Sequence, residues 1–261
     1  MNIGVQSPFL QALGWALLNS LWQFGLLWLV FMLFIHGRKN LSPAIKHGFA
    51  LSLMSVGFIW FGAELSLQYF AYSKAVKLNA VGYFSDNNSM YSSAYLTVRK
   101  FLENNLSYLS VVYLLTVALL FIKFFRYFYE SHTIETQGLS KLRAELRLHV
   151  QQLIEQLDIR RKVEVWVSEY VDTPMVIGFF KPIILIPVAI INQLSVKQIE
   201  AILLHELAHI KRNDYLINLY VASTEIHFFF NPFTRLLIRS LKQERENSCV
   251  DWLLQFRFDP H

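Results

Sequence analysis

The sequence predicts a mainly helical membrane protein in which three transmembrane helices precede an α+β domain with a small sheet. Apolar residues make up 54% of the 261 residues and charged residues only 16%, whereas soluble domains carry about 25% charge. The apolar excess is concentrated in three long blocks. The second half instead mixes short strand patterns with amphipathic helical patterns, one of which contains the letters His-Glu-Leu-Ala-His.

Each of the three apolar blocks is long enough to cross about 30 Å of hydrocarbon. We place the spans at about 9–35, 48–72 and 106–128. The first block has neither the basic start nor the small-residue cleavage site of a signal peptide, so it is interpreted as a membrane helix. The sequence therefore predicts a membrane domain at 1–128 and a second domain at 129–261.

Positive charge predicts the orientation of these spans. It is densest in the loop after the first span, at Arg38, Lys39 and Lys46, and directly after the third span. Because Lys and Arg accumulate on the cytoplasmic side, we expect the N-terminus outside and the second domain in the cytoplasm. The net charge of +5 is mild and favours a basic surface facing anionic lipid, with no direct binding of nucleic acid.

Short strands and helices are expected between the third span and the motif. An amphipathic helical pattern runs from Tyr129 to Asp158, with apolar residues from Leu139 to Leu157 repeating at spacings of three and four. Strand patterns occupy 163–167 and 182–187. Pro174 and Gly178 indicate a turn between the strands. We expect the strand at 183–186 to present an unpaired edge on which an extended peptide could lie.

Two further apolar segments follow the motif. The stretch at 215–233 is nearly all apolar but is interrupted by polar residues. It could form a fourth span, although we favour a buried or membrane-resting helix behind the motif. Another helix is expected at 236–254, after a turn at Asn231-Pro232.

His205, Glu206 and His209 form a His-Glu-x-x-His motif in an apolar, helix-forming run. Ser195 followed by Gln198 is a capping-box pattern that predicts the start of this helix. Residues four apart lie on one helix face, about 5–6 Å apart at Cβ, so both imidazoles can reach one zinc ion. Glu206 lies about 100° round the helix and can hold a water molecule instead of the metal. The bland alternative, a chance surface pattern or a core pair, leaves buried charges without a partner, which is costly.

A catalytic zinc usually has three protein ligands and one open position. Asp214 lies too close in sequence to reach the same metal easily, but it could orient a ligand. Glu244 or Glu246 could arrive from a separate, later helix, and spacing alone does not separate these two. The downstream candidates are Asp214, Glu225, His227, Glu244, Glu246 and Asp251.

Several motifs occur together in one order between Pro174 and Asp251. They are Thr173-Pro174 through Ile177-Gly178, Lys181 to Pro187, the His205–His209 motif with Arg212 and Asp214, Phe230-Asn231-Pro232, and Glu244 to Cys249. With three preceding spans, this set resembles the BlaR/MecR-type integral-membrane metallopeptidases, the antirepressor proteases of bacterial membranes.

The resemblance implies a zincin-like, gluzincin-like site with one Zn²⁺ per chain and Glu246 as the third ligand beside His205 and His209. Glu206 would then be the catalytic base. The chain departs from the family at Val250, where the family usually has Asp; here Asp251 follows one position later. We interpret Cys249 as a small buried side chain.

The resemblance also implies a zinc metalloendopeptidase of the bacterial cytoplasmic membrane that cuts a cytoplasmic regulatory protein, such as a transcriptional repressor, in response to an outside signal. A homodimer is one assembly that we consider. Such proteins usually have a further span, so we expect this sequence to be part of a longer chain. Two alternatives stay open: a housekeeping membrane protease, and a non-proteolytic transducer or scaffold with a structural zinc, which would need a fourth protein ligand.

Overall fold

The computed structural model describes residues 7–38, 41–80, 93–134, 139–178 and 181–258. Within these ranges the elements, in chain order, are α1 Pro8–Gly37, α2 Pro43–Ala80, α3 Ser93–Ile134, β1 Leu139–Lys141, α4 Ala144–Gln156, β2 Glu164–Ser168, β3 Met175–Ile177, β4 Ile183–Pro187, α5 Val188–Gln193, α6 Val196–Lys211, α7 Asp214–His227 and α8 Pro232–Phe258.

Contacts divide the chain into two compact units. The helix unit comprises Met1–Leu41, Ile45–Phe121 and Thr224–Leu241, and the sheet unit comprises Ser42–Ala44, Ile122–Ser223 and Lys242–His261. The helices α7 and α8 therefore contribute residues to both units. The domain boundary expected at residue 128 stays a prediction.

Three helices in the described part of the chain are long and apolar enough to cross a membrane. They are Pro8–Gly37, Pro43–Lys74 and Phe101–Tyr127, so each of the three apolar blocks forms one long helix that is a candidate membrane span. Small residues allow them to approach closely. A Cβ added at Gly14 would come within 2.8 Å of the Leu106 side chain, and one at Gly57 would meet the ring of Phe24.

The turn between α7 and α8 packs inside the helix unit. Phe228 is 1% exposed, and its ring centroid lies 4.7 Å from that of Phe24 and 5.6 Å from that of Phe58. Tyr113 donates a hydrogen bond to the carbonyl of His227 at 3.0 Å. These three partners lie near the midpoints of the three candidate spans. The apolar stretch at 215–233 thus forms α7 and a buried turn, and it is not among the candidate spans.

Asn231 begins α8 and fixes this turn. Its side-chain oxygen accepts hydrogen bonds from the backbone N–H groups of Phe233 at 3.0 Å and Thr234 at 3.3 Å, as an N-cap residue does before a proline at the first helical position. Its side-chain nitrogen donates to the carbonyl of Ser20 at 3.0 Å. One buried amide therefore caps a helix and bonds a second helix.

The sheet unit contains a four-stranded sheet in the order β1-β2-β4-β3. The β2–β4 pair is parallel and the other two pairs are antiparallel. The helices α4 and α6 pack on this sheet through one apolar core. Its buried members are Leu142, Leu146, Val150, Leu153, Leu157, Val167, Ile184, Ile186, Ile199, Leu203, Leu207 and Ile210.

Two expectations about the sheet are wrong. The strand β4 does not present an unpaired edge, because β2 and β3 pair with its two sides. The segment expected as a turn is the edge strand β3, although Pro174 and Gly178 bound it and Gly178 has a left-handed φ of 83°. A three-residue strand offers almost no local pattern, so pairing with β4 rather than propensity decides its conformation.

The helix expected within 129–158 is also different at its start. The helix α3 continues to Ile134, and Leu139 belongs to β1, where it pairs with Ser168. The rest of the pattern corresponds to α4, whose Leu146, Val150 and Leu153 are buried. Leucines at helical spacing thus predict the core face but not the strand that precedes it.

Replacing Asn231 by Ala should lower the free energy of unfolding by about 1–3 kcal/mol, because buried N–H groups and the Ser20 carbonyl lose their partner. The measurement is the thermal unfolding midpoint of the full chain in detergent. The control is Asn105, which is exposed and donates to the carbonyl of Phe101 in its own helix, and Asn105→Ala should leave the midpoint near that of the wild type. A wild-type midpoint for Asn231→Ala would contradict the prediction.

Candidate metal centre

The helix α6 has two different faces: one packs in the apolar core, and the other carries the His-Glu-x-x-His motif. It begins after Ser195, whose backbone N–H donates to the side-chain oxygen of Gln198 at 2.9 Å, as the capping-box pattern predicts. Its other face lines a cleft of about 380 Å³. The motif residues in that cleft are His205, Glu206 and His209.

The two motif histidines and Glu246 converge on one point. The Nε2 atoms of His205 and His209 are 3.1 Å apart. The Oε2 atom of Glu246 lies 3.7 Å from the first and 3.5 Å from the second. Zinc bonds of about 2.0–2.1 Å at tetrahedral angles would separate ligand atoms by about 3.3 Å. Two imidazole nitrogens and one carboxylate oxygen at these distances therefore fit a zinc ion.

The other ring nitrogen of His209 is held by Asp214. Asn213 has a left-handed φ of 57°, which ends α6 and lets α7 begin at Asp214. The Oδ2 atom of Asp214 lies 2.6 Å from Nδ1 of His209. Its Oδ1 atom is 3.6 Å from Nε of Arg212, which is an ion-pair distance but too long for a hydrogen bond. Asp214 thus contacts the ring nitrogen of His209 that lies outside the converging set, which is where a residue that orients this ring would lie.

The other ring nitrogen of His205 faces Cys249. The Sγ atom of Cys249 is 3.7 Å from Nδ1 of His205 and 3.9 Å from the His205 carbonyl oxygen. Cys249 is fully buried, as expected. The contact with His205 was not among the sequence-based predictions. The available signal was its spacing, because residues three apart on a helix lie on one face, and Glu246 is three residues earlier.

Arg245 sets the direction of the Glu246 carboxylate. Its Nη2 and Nε atoms lie 2.8 Å and 3.2 Å from Oε1 of Glu246, which leaves Oε2 towards the histidines. Arg245 also donates to the side chain of Asn218. Glu244 instead accepts a hydrogen bond from Asn247 at 3.3 Å. Of the two acids that spacing left open, the structure brings Glu246 to the histidine pair.

The electrostatics of the centre follow from burial and from these contacts. Burial raises the pKa of Glu206. The hydrogen bond with Cys249 raises the pKa of His205. Burial lowers the pKa of His209, but its contacts with Asp214 and Cys249 outweigh burial and raise it to about 10. Because the pKa values of both histidines are raised, protons compete with a metal cation for their ring nitrogens.

Burial and the neighbouring imidazoles shift the pKa of Cys249 in opposite directions. Burial raises the pKa of the thiol, but the two imidazoles outweigh burial and lower the pKa to about 7.

Ligand atoms of His205, His209 and Cys249 lie within 4.8 Å of one another. A second cleft of about 420 Å³ along β1, α4 and β2 has no histidine or cysteine in its lining, so it offers no comparable donor set.

Comparison with known proteins supports the resemblance. The sequence pattern of the family described as BlaR1 peptidase M56 matches residues 39–256. The regulatory protein BlaR1 of Bacillus licheniformis is 35% identical over 95 residues, which cover 36% of this chain and 16% of that protein. The methicillin resistance mecR1 proteins of Staphylococcus aureus and Staphylococcus epidermidis are 28% identical over 158 residues, or 59% of this chain and 26% of theirs. The match thus spans about a quarter or less of each relative.

Because Glu246 and not Glu244 lies beside the two histidines, we expect the two acids to differ in their effect on zinc binding. Glu246→Ala should lose stoichiometric zinc, because two imidazoles alone hold the ion weakly, whereas Glu244→Ala should keep one zinc per chain. Metal content after gel filtration of the full chain measures both. Retention of zinc by the first variant together with its loss by the second would reverse the assignment.

Proposed function

Because the chain belongs to the BlaR1 peptidase M56 family, we propose that it is a membrane-embedded zinc metalloendopeptidase that cleaves a cytoplasmic regulatory protein, such as a transcriptional repressor, in signal transduction. The supporting observation is the convergence of His205, His209 and Glu246 beside Glu206 in one cleft. The three helices long enough to span a bilayer make it an integral membrane protein. The names of its relatives, a regulatory protein and methicillin resistance proteins, support the signalling role.

His205, His209 and Glu246 would hold the zinc, and Glu206 would move the proton. Zinc at such a site polarises a carbonyl and lowers the pKa of water to about 7. Glu206 takes one proton from the attacking water and delivers it to the leaving amide nitrogen. The carbonyl carbon gains the water oxygen and loses the nitrogen, so the products are a carboxylate and an amine. Within the described residues no hydrogen bond ties the Glu206 carboxylate to another group.

The edge strand β3 supports binding of an extended peptide. Met175, Val176 and Gly178 line the cleft together with the motif residues. One side of β3 pairs with β4, and the sheet ends at its other side in the described part of the chain. A substrate backbone could therefore add to the sheet through main-chain hydrogen bonds, with its side chains alternating into and out of the cleft.

A structural zinc is the second candidate, because one observation favours it. A structural site is closed by four protein ligands, and Cys249 is the group near enough to be the fourth. Its closest histidine contact, however, is with Nδ1 of His205, whereas the Nε2 atom of His205 faces His209 and Glu246. We therefore favour a site with an open position, in which Cys249 does not bind the metal.

We propose that the N-terminus lies outside and that the peptidase residues face the cytoplasm, because Arg38, Lys39 and Lys46 flank the first loop. A fluorescent reporter, which folds in the cytoplasm, should be active when inserted after Leu41 or fused to the C-terminus. Alkaline phosphatase, which needs the outside, should be active when inserted at residue 86. The inverse pattern would contradict this orientation.

Glu206→Gln should keep zinc and lose cleavage, because the amide has the carboxylate's shape but takes up no proton. We expect the rate to fall by roughly 10²- to 10⁴-fold. The probe is a peptide library made from the host's cytoplasmic proteome, digested by the full chain in detergent, with new N-termini read by mass spectrometry.

Two controls make this measurement specific. Glu244→Gln changes a nearby acid outside the proposed machinery and should cleave like the wild type. Addition of a zinc chelator should stop cleavage, and restoring zinc should recover it. Cleavage by Glu206→Gln at the wild-type rate would defeat the assignment of the base.

A further inference from the structure

We propose that Cys249 is a positioning residue for His205, a role that rests on the zinc site proposed above. Its sulfur would accept a hydrogen bond from Nδ1–H of His205 and so turn the Nε2 lone pair of that ring towards the metal. Metal-binding histidines usually donate their second ring N–H to a carboxylate, a carbonyl or water. Here a buried thiol takes the place of that partner.

The comparison with His209 supports this role. Each motif histidine has its Nε2 atom in the converging set and its Nδ1 atom against a partner that is buried. For His209 the partner is Asp214, which is 2% exposed, and for His205 it is Cys249, which is 0% exposed. Each contact fixes which ring nitrogen carries hydrogen, because a nitrogen that donates to a partner cannot also bind the metal.

A neutral thiol satisfies both of its neighbours. Its sulfur lies 3.7 Å from Nδ1 of His205 and 3.9 Å from the carbonyl oxygen of the same residue. The sulfur accepts from the ring N–H, and the S–H group donates to the carbonyl, which are the two weak roles that a cysteine side chain offers. Neither role requires a metal–sulfur bond.

One turn of α8 carries both Glu246, the proposed third ligand, and Cys249, the proposed positioning residue. Glu246 and Cys249 are three residues apart and lie on one helix face. The carboxylate reaches the Nε2 atoms of the histidines, and the shorter thiol reaches the far side of the His205 ring. A single turn of α8 therefore provides the third ligand and the orienting group for the first.

Zinc affinity of the full chain in detergent, measured by competition with a chromophoric chelator, is the first test. Cys249→Ala should weaken zinc binding by about 10- to 100-fold, as removal of an orienting partner does elsewhere. Asp214→Asn is the benchmark and should weaken it similarly. Cys249→Ser keeps a donor and acceptor and should lie between Cys249→Ala and the wild type. The matched control Ser248→Ala, a buried neighbour on α8, should leave the zinc Kd unchanged.

Cobalt substitution separates positioning from ligation. Wild-type chain loaded with Co²⁺ should show tetrahedral d–d absorption without a sulfur-to-cobalt charge-transfer band. Such a band, lost in Cys249→Ala, would overturn the inference and make Cys249 a ligand. Unchanged zinc Kd in Cys249→Ala would overturn it as well. Failure of the wild type itself to bind zinc would instead defeat the proposed function.

Discussion

The rest of the centre depends on one constraint: the orientation of the two imidazole rings of α6 is fixed by contacts to their Nδ1 atoms. A helix alone brings His205 and His209 to one face, but their rings remain free to turn about the side-chain bonds. Asp214 and Cys249 each engage an Nδ1 atom, so both Nε2 atoms point to the same place, 3.1 Å apart. That separation suits two ligands of one ion and would be unfavourable for two imidazolium groups. The two nitrogens are partly buried, so a cation between them is the partner that such an arrangement would favour.

The supporting groups come from α7 and α8, which meet at a turn buried in the helix unit. Asp214 is the first residue of α7, placed there by the left-handed Asn213. Glu246 and Cys249 belong to α8, whose start is fixed by the cap of Asn231. Within the helix unit, the turn between these two helices is held by Phe228, which packs on Phe24, and by Asn231, which donates to the Ser20 carbonyl. The apolar stretch at 215–233, which could have been a fourth span, instead forms α7 and the turn that precedes α8.

Sequence predicts best where one pattern has one physical cause. Long apolar blocks predict the three candidate spans, and Ser195 with Gln198 predicts the start of α6, the helix that carries the motif. Sequence predicts poorly where pairing with a distant strand decides the outcome, as at β3 and at Leu139. Spacing could not separate Glu244 from Glu246, because the difference depends on Arg245, which holds one oxygen of Glu246 and directs the other. The contact of Cys249 with His205 joins residues 44 positions apart, so the three-residue spacing from Glu246 was the local signal for it.

The departure from the family at Val250 can be judged from the same contacts. Val250 is 48% exposed, so this position of α8 faces away from the buried side on which Cys249 lies. Both Nδ1 atoms of the histidine pair already have partners, and the carboxylate that serves His209 comes from Asp214 on another helix. An acid at position 250 is therefore not required to orient either ring in this chain. Val250 thus lies on the outer surface of α8, and the contacts to the two Nδ1 atoms are made by other residues.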